Sequence, residues 1–152
     1  MSDVAVVGHF AIDSILLPDK QMPYIILGGS AAYASLAIRR LNVKASVFSK
    51  VGGDFPEAYL WWLKEEGIDL NGVIRVKDAQ TTRFELKYDY GFLNRTLRLK
   101  SKAPSMTMED LPKSMKRKVI HISPIAGEIT YEVAEKLRSC ADVLSIDPQG
   151  LV

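Results

Sequence analysis

Between Val73 and Lys100 the chain carries three β-rich segments and no helix, although strands and helices alternate on both sides of that stretch. This is the strongest constraint on its fold. Val73–Val76, Thr82–Tyr88 and Leu93–Leu99 alternate in polarity or are rich in β-branched and aromatic residues, and Asp89-Tyr90-Gly91 is a hairpin turn signal. The stretch reads as antiparallel and half-exposed. On either side, Asp3–Gly8, Ala45–Val51, Val119–Ile122 and Asp142–Ile146 are short apolar runs of the kind buried in parallel sheets. Val143–Ile146 is apolar enough for a central strand covered on both faces. An α/β layered core with a β appendage accounts for the whole pattern.

The helices carry their own signals. Ser30–Leu41 is dominated by small residues, with Ser30 as the expected N-cap, Arg39 and Arg40 in the last turn, and Asn42 placed for a left-handed cap. Asp54–Glu66 has the form of a capping box, with Asp54 at the N-cap and Glu57 three residues on. Gly67 ends it, and Ile68 is placed to fold back on it. Thr130–Ser139 has Thr130 at its N-cap and Val133, Ala134 and Leu137 on an apolar face.

Composition narrows the function. With 152 residues, 47% hydrophobic and 25% charged, the chain can bury a core, and disordered or collagen-like classes are excluded. Its one cysteine, Cys140, forms no intrachain disulfide and reads as a buried filler in a reducing compartment. The most apolar stretch, Val4–Leu17, is interrupted by His9 and Asp13, so no membrane span is expected, and a cytoplasmic protein is the default. From Arg75 to Lys118 there are 12 Lys/Arg against 5 Asp/Glu; the remainder holds 8 and 13. This basic middle reads as a solvated surface rather than a nucleic-acid interface.

Generic site motifs are absent. There is no P-loop pattern, and Gly8 is followed by His9 and Phe10, which breaks the dinucleotide fingerprint. Two histidines and one distant cysteine do not support a zinc site, and His121 reads as a satisfied near-core residue. Asp13, beyond the first strand and inside an apolar stretch, is either a solvated turn residue or an acceptor for a hydroxylated ligand. Gly28-Gly29 precedes a helix start, where a ligand can approach the backbone; a plain turn is the alternative. Asp147-Pro148-Gln149 closes the last strand, either as an ordinary turn or near a metal or phosphate-bound water.

Taken in order, these pieces resemble the ribokinase-like (PfkB-type) carbohydrate kinase family. Val6-Val7-Gly8-His9-Phe10-Ala11-Ile12-Asp13 is similar to its first strand and substrate-binding aspartate. Leu27-Gly28-Gly29-Ser30-Ala31-Ala32-Tyr33-Ala34 resembles its first signature, Ser49-Lys50-Val51-Gly52-Gly53-Asp54 its V-G-x-D turn, and Leu63-Lys64-Glu65-Glu66-Gly67-Ile68-Asp69 the helix end that follows. Ile146-Asp147-Pro148-Gln149 resembles the strand end that faces the nucleotide phosphates and magnesium.

The resemblance implies a three-layer α/β/α core over residues 1–152, with a β lid from about 14–28 and 73–100 that in the family often forms a dimer contact. It implies ATP and magnesium as cofactors and transfer of the γ-phosphoryl group to a hydroxyl of a small sugar, polyol or nucleoside; the Gly-Gly-Ser-Ala-Ala-Tyr form together with Asp147-Pro148-Gln149-Gly150 favours a sugar or inositol-like polyol. Asp13, the Gly28-Gly29 backbone and Tyr33 would bind that acceptor, and Asp147 and Gln149 would lie near phosphate and metal without direct metal ligation. Two departures matter: Tyr33 stands where the family usually carries asparagine, and the second signature, D-T-x-G-A-G-D, is absent. The resemblance therefore implies an N-terminal portion with no catalytic residue of its own, inactive alone and prone to self-associate. The alternative is a non-catalytic binding protein that keeps the first half of the fold. Neither nucleic acid nor membrane is expected as a partner.

Overall fold

In the computed structural model, residues 3–151 are described. The first apolar run is strand β1 (Val4–Val7). The chain then leaves the core as a hairpin, β2 (Ala11–Leu16) and β3 (Tyr24–Gly28), and returns through helix α1 (Ser30–Arg40) to β4 (Ala45–Gly52). Helix α2 (Glu57–Glu65) leads to β5 (Asp69–Val76). A second excursion follows as β6 (Thr82–Tyr88) and β7 (Arg95–Ser101). Then come β8 (Arg117–Ile122), α3 (Tyr131–Ser139) and β9 (Ala141–Ile146).

The core sheet is parallel, in the order β5-β4-β1-β8-β9. Helices α1 and α2 cover one face, where Ala31, Ala32 and Leu63 pack on Val6, Val47 and Val51. Helix α3 covers the other, where Val133 and Leu137 pack with Val7, Ile120 and Ile122. The layers are therefore α/β/α. Near-continuous apolar strands such as β4, buried along its length, require this double covering.

The two excursions form a second sheet, in the order β3-β2-β6-β7. Its middle strands β2 and β6 pair in parallel because both leave the core from the same side, and each pairs antiparallel with its own hairpin partner. Val73–Val76 do not belong to this sheet. They pair with Ser49–Gly52 of β4 in the core, because the strand begins at Asp69 and completes a β4–α2–β5 crossover.

The helix C-termini follow the sequence. Asn42 and Gly67 both have positive φ, 59° and 81°, and each helix closes with paired bonds, Asn42 N–H to Arg39 O and Val43 N–H to Ile38 O, then Gly67 N–H to Lys64 O and Ile68 N–H to Leu63 O. The N-termini differ from expectation. Gly29, not Ser30, is the N-cap of α1, and the Ser30 hydroxyl donates to Ser123 O at 3.1 Å instead. Helix α2 starts after Pro56, because Asp54 is engaged elsewhere. Its carboxylate accepts from the Thr81 N–H and hydroxyl, both at 2.7 Å, and from the Arg83 guanidinium at 2.8 Å. Burial opposes ionisation of Asp54, but these bonds hold its carboxyl at about 2. Asp54 thus pins the root of β6 to the core.

Among the described residues, strand β9 has a neighbour on one side only. Val143 is 54% exposed and Ile146 49%, since no described element covers that side of the sheet. No helix among the described residues is long and apolar enough to cross a membrane.

Candidate functional site

Asp13 lies inside β2, not in a turn. On one side its register partner is Ile26 of β3 and on the other Phe84 of β6, which in turn faces Leu99 of β7. The next row is Tyr24, Ile15, Leu86 and Leu97, and the ladder ends with Tyr88 opposite Arg95. Because side chains alternate along a strand, these residues share one face. Asp13 is the only carboxylate on that face among the described residues.

This face, the first turn of α1, Ile125 and Gln149 enclose a cleft of about 600 Å³. Asp13 is half-buried in it. Burial pushes its carboxyl up, and the positive charge of Arg95 partly offsets this. A larger hollow of about 700 Å³ lies on the opposite face, around Ser14, Glu85, Lys87 and Arg98. It has neither the glycine pair nor a helix start, so the Asp13 cleft is the better-built site.

The glycine pair explains how a helix start comes to lie beside a carboxylate. Gly29 has φ 91°, and a Cβ there would come within 2.6 Å of the His9 carbonyl oxygen. This turn brings the first N–H groups of α1, uncapped by any side chain, to the cleft wall. A Cβ on Gly28 would fall on the Asp13 carboxylate itself. Tyr33, one turn along, donates its hydroxyl to Leu27 O at 3.3 Å, and burial, then the Asp13 charge, raise its pKa.

Beneath the cleft is a buried polar hub. The Glu128 carboxylate, wholly buried, accepts from the backbone N–H groups of His9 at 3.0 Å, Ile125 at 3.1 Å and Ala126 at 2.8 Å. The His9 ring, also buried, joins both roots of the β6–β7 excursion. Its Nε2 lies 3.1 Å from Pro104 O, which can only accept, so the proton is assigned to Nε2. Its Nδ1 then accepts from the Thr82 hydroxyl at 2.9 Å, whose oxygen accepts from Ala103 N–H.

Of the residues singled out in the sequence, Asp13, Gly29, Tyr33 and Gln149 line one cleft, and Gly28 lies under Asp13. Asp147 stands apart. Its N–H donates to Ile122 O, and its carboxylate accepts from Gln149 N–H in a local turn. His121 is half-buried with its Nδ1 2.8 Å from the Ser145 hydroxyl, and Cys140 is buried. Sequence reasoning missed Arg95, Phe84 and Glu128. The Arg95-x-Leu97-x-Leu99 alternation was the available signal for Arg95, but only the β2–β6 pairing carries it to Asp13. No cluster of three or more His, Cys, Asp or Glu that could hold a metal occurs among the described residues.

The model of the pfkB family of carbohydrate kinases matches residues 1–146. The chain belongs to this family. It is 28% identical over 153 residues to a cytidine kinase of Thermococcus kodakarensis, covering 97% of this chain and 52% of that protein. It is 29% identical over 166 residues to a nucleoside kinase of Methanothermobacter thermautotrophicus, covering 96% and 52%. A solved pyrophosphate-dependent kinase in the ribokinase family, complexed with a pyrophosphate analog and myo-inositol, superposes with a TM-score of 0.80 at 26% identity, over 98% of this chain and 50% of the other. The chain spans about half the length of the curated relatives it matches, and its fold is the N-terminal half of the ribokinase-like fold.

Proposed function

We propose that this chain is the acceptor-binding part of a phosphotransferase that moves the ATP γ-phosphoryl group to a hydroxyl of a sugar, polyol or nucleoside. The observation that carries this reading is the position of Asp13, a lone carboxylate on an apolar sheet face, opposite the uncapped start of α1. An ionised carboxylate accepts bonds from two hydroxyls at once, which orients a diol. Backbone N–H groups at the helix start favour an oxygen that gains negative charge. The apolar rows around Phe84, Leu86 and Leu97 exclude water from the bound acceptor, and the second sheet acts as the lid. The names of the relatives, for cytidine, nucleosides and myo-inositol, agree in one respect: each such acceptor carries neighbouring hydroxyls.

Phosphoryl transfer needs positioning and charge stabilisation more than covalent chemistry from the protein. Magnesium, when bound, would neutralise phosphate charge. The described residues do not form a site for it alone, because Asp147 is a single carboxylate already engaged with Gln149 N–H. No step is therefore assigned to it here, nor is a general base. Self-association through the second sheet or the β9 edge belongs to the same proposal.

Isothermal titration of the 152-residue chain with sugars, polyols and nucleosides tests the reading. Binding of at least one acceptor should weaken at least tenfold in Asp13→Ala, as expected for a charged hydrogen-bond partner worth roughly 1.5–3 kcal/mol. Unchanged affinity would overturn it. Incubated with ATP, magnesium and the same panel, the chain by itself should form no ADP above buffer.

A further inference from the structure

The cleft contains a second charged group that neither the motifs nor the family match accounts for. Arg95 opens β7, and the alternation of that strand puts Arg95, Leu97 and Leu99 on the face that carries Asp13. Its Nη1 donates to the Tyr88 hydroxyl at 3.2 Å, and no carboxylate pairs with it among the described residues. A guanidinium has five N–H donors and accepts nothing, so most of its donors stay unpaired at a position that borders both the Asp13 cleft and the larger hollow. Its charge acts on Asp13, since it is the group that partly offsets the effect of burial there.

The spacing of the two groups limits what can touch both. Asp13 pairs with Phe84, and Arg95 pairs with Tyr88, four residues further along β6 and on the strand beyond it. At about 3.3 Å per residue and about 4.8 Å per strand, the two Cα atoms lie roughly 16 Å apart. Even with the arginine side chain extended, a gap remains, and it is floored by Leu86 and Leu97. A small polyol ring held at Asp13 leaves Arg95 unserved and sets hydroxyls against leucine. A longer acceptor fits both ends: hydroxyls at Asp13, a flat weakly polar body over the leucines, and an oxygen bearing no hydrogen at Arg95.

We infer that Arg95 is a specificity-determining residue of the acceptor cleft. It selects acceptors that present a carbonyl oxygen at the end remote from the hydroxyls held by Asp13, as in a ribose joined to an oxo-heterocycle, over acceptors built of hydroxyls alone. The inference rests on the acceptor-site reading of Asp13 above. Polar recognition of this kind discriminates, because an analogue lacking the oxygen displaces water from the guanidinium without replacing its bonds.

The test compares uridine, whose C4 carbonyl points away from the ribose, a phenyl riboside of the same shape without the carbonyl, and myo-inositol, titrated into the chain and into Arg95→Met, Arg95→Lys and Asp13→Ala. Arg95 is exposed, so the methionine variant should fold, and circular dichroism and thermal melting check that it does. The chain should bind uridine at least tenfold more tightly than the phenyl riboside or myo-inositol. Arg95→Met should abolish that margin through loss of affinity for the carbonyl-bearing riboside, and Arg95→Lys should keep part of it. Asp13→Ala should weaken both ribosides. A margin that survives in Arg95→Met, or tighter binding of myo-inositol than of uridine, overturns the role of Arg95 alone. Affinities indifferent to Asp13, or no binding of any acceptor, overturn the acceptor-site reading as well.

Discussion

The carboxylate of Asp13 occupies the space that a side chain at Gly28 would fill. The glycine is therefore needed for the position of the aspartate as well as for the turn into α1. In Gly28→Ala the methyl group must displace the carboxylate or the strand. Acceptor affinity should fall as far as in Asp13→Ala, with a stability loss of about 1–3 kcal/mol from overpacking. Titration and urea unfolding of the two variants side by side check this; normal affinity in Gly28→Ala would show that the carboxylate has a second working position.

Asp13 should limit the stability of the unliganded fold. Burial raises its folded pKa above the ordinary 3.8, so its ionisation opposes folding. That penalty is full above the raised value and disappears as pH falls below 3.8. Asp13→Asn should therefore melt no lower than the parent at pH 7, and the difference should shrink toward pH 3.5, while acceptor affinity drops. A large fall in melting temperature at pH 7 would mean that the carboxylate supports the fold.

Glu128 should matter for stability more than any charged surface residue. Its carboxylate is the acceptor for three backbone N–H groups, those of His9, Ile125 and Ala126. Glu128→Ala leaves them buried and unpaired, at a cost of roughly 3–5 kcal/mol. Glu128→Gln keeps one acceptor oxygen and should lie between. Chemical denaturation measures both; a loss below about 1 kcal/mol would mean that water replaces the carboxylate.

His9 should give the fold an acid-sensitive step. Burial lowers its pKa below the ordinary 6.5, with the Glu128 charge opposing. The folded state thus favours the neutral ring. Its contribution is complete above pH 6.5 and is lost progressively as pH falls below that value. Melting temperatures between pH 7.5 and 5 should decline less in His9→Gln. A residual slope should remain from His121, whose pKa burial also lowers. Parallel profiles for variant and parent would exclude His9 as the source.

Much of the architecture could be read locally. Asn42 and Gly67 marked helix ends because few residues tolerate positive φ, and the return bonds of Val43 and Ile68 follow from that turn. The all-apolar β1 had to be covered on both faces. Asp54 shows where local reading stops. Its spacing to Glu57 satisfies a capping box, yet Thr81 and Arg83 compete for the same carboxylate and win, with four donors in place of one or two. Val73–Val76 failed for a related reason: whether a β-rich segment joins one sheet or another depends on its partner, and its partner β4 lies across α2. Val143–Ile146, apolar but for Ser145, has the composition of a strand with neighbours on both sides, and among the described residues it has a neighbour on one side only.

The sequence by itself determined the order of strands and helices, the glycine turn before α1, and the presence of a carboxylate in an apolar run at position 13. These depend on backbone sterics and on the periodicity of side chains, which act over a few residues. The tertiary structure decided that Asp13 sits in a strand rather than a turn, that it shares a face with Arg95, and that Glu128 and His9 lock the roots of the second sheet to the core. Those relationships come from the parallel pairing of β2 with β6, two segments far apart in the chain. Their register is set by the alternation of side chains along both strands, and the face it makes exists only when both excursions are folded together.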